Sequence, residues 1–290
     1  HVYVLKAIVK FPKKVGGAVV LVERFDTHST LEAIAEHGVT VLSGVPTMWA
    51  AWAGLRDATP DAMTSVRMAV SGAAPLEPEV RHDVQERFGI ELTEGYGLTE
   101  ASPAVTTGLG QDAPDGSIGV PLPGVSVRLV DTTGEDALVG DPGEIWVKGP
   151  NVFPGYWNDD EATRAALTPD GWLRTGDIAV VDDDGFLFLV DRSKDVIIVS
   201  GFNVFPAEVE EVLRLHPAVE AAAVVAVPHP HSGEAVKAFV VPTDGAHVDE
   251  DTLIDHACRH LARYKCPSTI AFVDELPQGV TGKVIRRALR

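Results

Sequence analysis

Three short apolar runs, separated by segments with helical spacing, constrain this chain more than any other feature. Gly17-Ala-Val-Val-Leu-Val22, Val39-Thr-Val-Leu42 and Val66-Arg-Met-Ala-Val70 read as buried strands. Residues 30–36 have helical spacing with Ser29 as the cap, Pro46 opens a helix towards Leu55, and a third helix lies near residues 77–88. This strand–helix–strand rhythm predicts a mostly parallel sheet with helices on both faces. Ligands of such sheets sit beyond the carboxyl ends of the strands. Ser71-Gly-Ala-Ala-Pro75 and Glu94-Gly-Tyr-Gly97 both follow strand-like runs and are expected at that edge.

From residue 116 to residue 190 the texture changes to short strands and turns, at 125–130, 144–148 and 186–190. Asp182-Asp-Asp-Gly185 lies between two apolar runs and reads as a hairpin turn. Its consecutive carboxylates lack the alternate spacing of a calcium loop. A separate α+β unit begins at Asp191, with a strand at 196–199 and a helix from Pro206 whose early turns hold Glu208, Glu210 and Glu211. Strands at 222–227 and 235–241 enclose a His229-Pro-His231 turn, and a helix follows at 251–263. The expected class is therefore α/β, with a sheet-and-helix part and a small β-rich subdomain in 1–190, then a small α+β domain in 191–290.

A length of 290 residues, 45% of them hydrophobic, suffices for one large or two smaller domains. The balance of 24 basic against 42 acidic residues gives a formal charge of -18 and argues against a nucleic-acid surface. Lys283, Arg286, Arg287 and Arg290 form a local basic cluster that reads either as a site for a phosphorylated small molecule or as a solvated surface. Cys258 and Cys266 make no disulfide framework and are expected to pack as small apolar groups in a reducing compartment. No apolar run approaches the ~20 residues of a membrane span. The chain opens at His1 in mid-pattern and reads as N-terminally truncated. His216, His229 and His231 complete no metal-binding pattern, and Trp146, Trp157 and Trp172 read as packing residues.

Four motifs carry the chemistry: Tyr96-Gly-Leu-Thr-Glu100, Trp172-Leu-Arg-Thr-Gly-Asp177, Asp191-Arg-Ser-Lys-Asp195, and a tail in which Gly282 precedes Lys283. An aromatic ring can stack on a base, a hydroxyl can bond a phosphate, and a carboxylate can hold Mg²⁺ while the metal keeps waters. Asp177 offers two acceptor oxygens, enough for both hydroxyls of a ribose. In this order the motifs resemble the adenylate-forming superfamily of acyl-CoA synthetases, luciferases and peptide-synthetase adenylation domains. The likeness to fatty acyl-CoA ligases is carried by Val199-Ser-Gly-Phe-Asn-Val-Phe-Pro206 and Gly233-Glu-Ala-Val-Lys-Ala-Phe239. It covers essentially all 290 residues, and the family's Ser/Thr/Gly-rich phosphate loop would lie upstream of His1.

The resemblance implies that residues 1–190 are part of an adenylation domain and 191–290 the C-terminal domain with the catalytic lysine. It implies ATP-dependent activation of a carboxylic acid, expected to be a medium- or long-chain fatty acid, to acyl-AMP, then thioester formation with coenzyme A. Adenine contacts would fall on Gly72, Ala73, Ala74, Pro75, Tyr96 and Gly97, with Thr99 on phosphate and Glu100 on Mg²⁺. Asp177 would take the ribose, with Arg192 on the same side of the nucleotide. Lys283 would stand between the carboxylate and the α-phosphorus. Asp191 would be the hinge that swings Ser200 and Gly201 to the pantetheine of CoA. Residues 45–49 and 101–105 would line part of the acyl pocket, near the segment His1-Val-Tyr3. Alternatives are an adenylate ligase that loads a carrier protein, or a noncatalytic nucleotide-binding fragment, and the truncated chain alone is expected to turn over little. The expected partners are the small molecules ATP, acid and CoA, in the cytoplasm, with no nucleic acid, no transmembrane segment and the oligomeric state open.

Overall fold

The computed structural model describes residues 10–278 and 284–289. The chain divides into two compact units. One runs to Thr175 and takes in Ala179–Leu189, and the other is Gly176–Ile178 with everything from Val190 onward.

The first unit starts with α1 (Phe11–Lys14), α2 (Thr27–Glu36), β1 (Val41–Gly44), α3 (Pro46–Gly54), β2 (Met68–Ser71), α4 (Pro78–Phe88) and β3 (Leu92–Glu94). The three strands form a parallel sheet in the order β1-β2-β3, with Val41 opposite Met68 and Ala69 opposite Leu92. Proline sits in the first turn of α3 and of α4, where its missing N–H costs nothing. Gly89, in the left-handed region at φ 65°, ends α4. Leu31, Ile34, Trp49, Trp52, Ala69, Val84, Phe88 and Leu92 share one core. Within it the Trp52 indole N–H donates to the Thr30 hydroxyl at 3.1 Å, so the buried ring leaves no orphaned donor.

Two expectations change here. Residues 17–22 form no strand; Leu21 and Val22 are 74% and 50% exposed, and no described strand pairs with them. An apolar run without a partner for its backbone cannot hold a strand. The cap of α2 is Asp26 rather than Ser29, because the Asp26 carboxylate accepts the Ser29 N–H at 2.9 Å and starts the helix at Thr27.

The β-rich part follows as β4 (Thr106–Thr107), β5 (Val120–Pro121), β6 (Ser126–Val130), β7 (Gly143–Lys148), α5 (Asp160–Ala166), β8 (Leu173–Val181) and β9 (Leu187–Arg192). β4 pairs with β5, and the other four strands order as β6-β7-β8-β9. Between β8 and β9 the Asp182 carboxylate accepts the N–H groups of Asp184 and Phe186, and Gly185 takes φ 85°. That is the Asp-Gly turn expected from the sequence. Among the tryptophans, Trp157 departs from the expected packing role. Trp157 is 91% exposed, Arg174 lies over the Trp146 ring, and Arg128 and Lys148 lie over Trp172.

The second unit continues as β10 (Ile197–Val199), β11 (Phe202–Val204), α6 (Pro206–Arg214), β12 (Val219–His229), β13 (Gly233–Pro242), α7 (Glu250–His260) and β14 (Thr269–Phe272). Its sheet runs β11-β10-β13-β12, and β14 joins β13 in parallel. Val209 and Leu213 of α6 and Leu253 and Ala257 of α7 bury against Val224, Val236, Ala238 and Val240. Each such valine or leucine contributes about 1.5–3 kcal/mol on leaving water. α7 stops at His260, three residues before the expected end, and a 3₁₀ turn at Arg263–Lys265 brings the chain back. Cys266 thereby reaches Cys258, and the two are joined as a disulfide with their Cα atoms 5.4 Å apart. The expectation of two independent apolar cysteines is corrected.

Candidate functional site

In the first unit, two candidate segments leave the carboxyl ends of neighbouring parallel strands. β2 ends at Ser71 and releases Gly72, Ala73, Ala74 and Pro75; β3 ends at Glu94 and releases Gly95, Tyr96 and Gly97. Gly72 is open, since an added Cβ would meet nothing within 4 Å, whereas one on Gly97 would fall 1.9 Å from the Pro103 carbonyl oxygen. Gly72 therefore leaves approach room for a ligand, and Gly97 is required by the fold itself. Ala73 holds φ 72°, rare for a residue with a Cβ. Tyr96 is only 8% exposed and belongs to the core formed with Ala101, Val105, Ile145 and Leu173.

Glu94 joins the two segments. Its carboxylate accepts the Leu76 N–H at 3.2 Å, just past Pro75, and pairs with Arg81 of α4 at 2.5 Å. Arg81 also donates to the Leu92 carbonyl. Burial raises the Glu94 carboxyl above the ordinary glutamate value, an effect the Arg81 charge offsets only in part. The sequence motif drew attention to the glycines and the tyrosine. The acid at its head was readable only as an ionisable side chain closing an otherwise buried strand.

Thr99 and Glu100 open a 3₁₀ turn, Thr99–Ala101, with Thr99 exposed and Glu100 half-buried. The Tyr156 hydroxyl donates to Glu100 Oε1 at 2.9 Å, and the Phe153 N–H donates to the Glu100 carbonyl at 2.8 Å. Tyr156 is itself fixed, its N–H donating to the Thr163 hydroxyl at 2.9 Å. Burial, then the hydrogen bond and charge of Glu100, push the Tyr156 phenol up to about 12. Sequence reading missed Tyr156, which lies 56 positions from Glu100. Trp49, Ala101 and Val105, expected along an acyl pocket, are fully buried in the two cores of this unit and line no open surface.

In the second unit Asp177 is 8% exposed, and Arg192 Nε lies 2.9 Å from its Oδ1. The Arg192 side chain is half exposed, so one face of the pair is open to solvent. Asp191 is no loose linker residue. Its side chain is 2% exposed and accepts two N–H groups at 2.8 Å, those of Arg192 and of Ala207 in the first turn of α6. Ser200 and Gly201 form the exposed β10–β11 turn at φ 51° and 85°. Lys283 and the segment His1-Val-Tyr3 lie outside the described residues. On either side of the lysine segment, Gln278 bridges Val284, and the Ile285 N–H donates to the Pro277 carbonyl at 2.7 Å.

The AMP-binding enzyme family matches residues 1–157, and the AMP-binding enzyme C-terminal domain matches residues 208–283. The chain belongs to the AMP-binding enzymes. Among members of this family, a long-chain-fatty-acid–CoA ligase of Yersinia pestis is 43% identical over 293 residues, spanning 100% of this chain and 52% of the ligase. A feruloyl-CoA synthase of Amycolatopsis sp is 42% identical over 277 residues, 95% of this chain and 56% of the synthase. Among solved structures, ATP-bound MatB from Rhodopseudomonas palustris superposes with a TM-score of 0.92 at 36% identity, covering 100% of this chain and 57% of MatB. The chain spans about half the length of the curated relatives it matches. Among the described residues no group of three or more His, Cys, Asp or Glu side chains could hold a metal ion, and no helix is long and apolar enough to cross a membrane.

Proposed function

We propose that the protein carrying this chain activates a carboxylic acid with ATP, releasing pyrophosphate, and then transfers the acyl group to coenzyme A. The observation that carries this reading is the pair of segments 72–75 and 95–100 emerging together from the ends of β2 and β3, tied by Glu94 and followed at once by Glu100. Open α/β sheets bind ligands at this edge.

In this reading the backbone of Gly72, Ala73, Ala74 and Pro75, with Tyr96 and Gly97, borders the adenine. Thr99 donates to a phosphate oxygen. Asp177 accepts the ribose hydroxyls, with Arg192 holding its carboxylate. A single carboxylate held by a neighbouring hydroxyl suits Mg²⁺, which takes one or two carboxylates together with substrate phosphates. Glu100 would hold the ion, which supplies charge neutralisation on the phosphates when bound. Lys283 offsets the repulsion between two anions as the carboxylate oxygen bonds to the α-phosphorus and the bond to the β-phosphate oxygen breaks. In the second step the CoA sulfur bonds to the acyl carbon, the acyl–phosphate bond breaks and AMP leaves. Asp191 serves as the hinge between steps, and Ser200 and Gly201 border the pantetheine.

The long-chain-fatty-acid–CoA ligase relatives support a long-chain acid within the expected medium- or long-chain range, and the reading sets the reaction in the cytoplasm. The feruloyl-CoA synthase relatives support an aromatic acid as a second reading. Acid-dependent exchange of labelled pyrophosphate into ATP, assayed without CoA on the full-length natural protein, tests the first step. Fatty acids should drive exchange above ferulate, and exchange with neither acid would defeat both readings. Loading of a carrier protein instead of CoA would redirect the second step.

A further inference from the structure

Arg286 stands three positions after Lys283, and its guanidinium meets three carboxylates from three elements. It makes a forked contact with Glu210 of α6, Nε to Oε1 at 3.1 Å and Nη2 to Oε2 at 2.8 Å. Its Nη1 lies 3.7 Å from both Asp191 at the end of β9 and Asp195 in the following turn. All four side chains are sheltered, with exposures of 21% for Arg286, 14% for Glu210 and Asp195 and 2% for Asp191. An exposed pair contributes little to stability, but a sheltered fork on several carboxylates fixes geometry.

Two of the acids are held independently of the arginine. Asp191 takes the Ala207 and Arg192 N–H groups, and Glu210 takes the Val224 N–H at 2.7 Å. With Asp195 they form a receptor built from β9, the turn that follows it and α6, braced by β12, into which the C-terminal segment places the Arg286 cation. Three residues of chain span at most about 11 Å, so anchoring Arg286 limits how far Lys283 can stray from the Asp191 side chain.

We infer that Arg286 is a positioning residue for the first half-reaction, fastening the segment that bears Lys283 to the receptor around Asp191. This rests on the reading above, in which Lys283 serves adenylation and Asp191 is the hinge. Placement errors of about 1 Å can cost ~10²-fold in rate.

The test uses the full-length natural protein and two assays: acid-dependent ATP–pyrophosphate exchange, and CoA thioester formation from supplied acyl-adenylate. Arg286→Met should lower exchange by ~10²-fold while thioester formation stays within about three-fold of wild type. Arg286→Lys keeps the charge without the fork and should recover part of the exchange. Glu210→Gln keeps an acceptor for Val224 but weakens the fork, so it should reduce exchange selectively, by roughly ten-fold. Equal loss of both half-reactions in Arg286→Met and Glu210→Gln, or exchange within two-fold of wild type, would overturn the inference alone. A wild-type protein without acid-dependent exchange would overturn the reading beneath it as well.

Discussion

The Tyr156 hydroxyl donates a 2.9 Å hydrogen bond to the Glu100 carboxylate, linking a loop before α5 to the acid that closes the Tyr96 motif. A hydrogen bond to a charged group is worth ~1.5–3 kcal/mol when sheltered and less at a partly exposed position such as this. Tyr156→Phe should raise the Mg²⁺ concentration for half-maximal exchange roughly five-fold, about 1 kcal/mol, with little change in melting temperature. Unchanged Mg²⁺ dependence would remove Tyr156 from the site.

The same contact sets a pH window. The Tyr156 value is raised from 10.0 to about 12, so its stabilising contribution is complete below pH 10 and is lost as the pH climbs through about 12. An ultraviolet titration should show a tyrosine step near pH 12, and Tyr156→Phe should abolish that step.

Glu94 and Arg81 make a further prediction for the first unit. Removing one partner of a buried pair leaves an uncompensated charge, typically costing ~3–5 kcal/mol. Arg81→Met should therefore lower the denaturation midpoint sharply. Since the Glu94 value is raised above its ordinary 4.5, the favourable protonated form is lost as the pH rises through that raised value. Glu94→Gln, with no charge to desolvate, should flatten the decline in stability with rising pH. An unaltered pH–stability profile would show that burial does not penalise this carboxylate.

Two glycines separate ligand approach from fold. Gly97→Ala would drive a Cβ to 1.9 Å from the Pro103 oxygen and should destabilise by at least ~1–3 kcal/mol. Gly72→Ala meets open space and should fold normally, yet weaken nucleotide binding by steric exclusion. Calorimetric ATP titration beside thermal melting distinguishes the two. Full ATP affinity in Gly72→Ala would place the adenine elsewhere.

Asp191 needs a more careful test than a proline substitution alone. Its carboxylate caps α6, and losing a cap costs ~0.5–2 kcal/mol. Asp191→Ala removes the cap with the backbone free, whereas Asp191→Pro also fixes φ. Selective loss of the thioester step in the proline variant, beyond that in the alanine variant, is the expected signature of a hinge. Identical behaviour would leave Asp191 a helix cap only.

What the sequence disclosed followed from short-range rules. The parallel strands and the proline-opened helices were legible because apolar spacing and N-terminal prolines act locally. The run at 17–22 misled because apolar character does not supply a pairing partner. The motif glycines were visible, but not that Gly97 answers to Pro103 and Gly72 to open space. The Glu94–Leu76, Tyr156–Glu100 and Arg286–Glu210 contacts join positions 18, 56 and 76 apart, and nothing in local patterning encodes such separations. Arg286 was read only as part of a basic cluster, because its acids lie on other elements.

The most direct test of acid activation is product analysis of the full-length natural protein given a fatty acid, ATP, Mg²⁺ and CoA. AMP, pyrophosphate and acyl-CoA should appear in equal amounts, each requiring the acid. ADP and phosphate in their place, or AMP formed without acid, would contradict it.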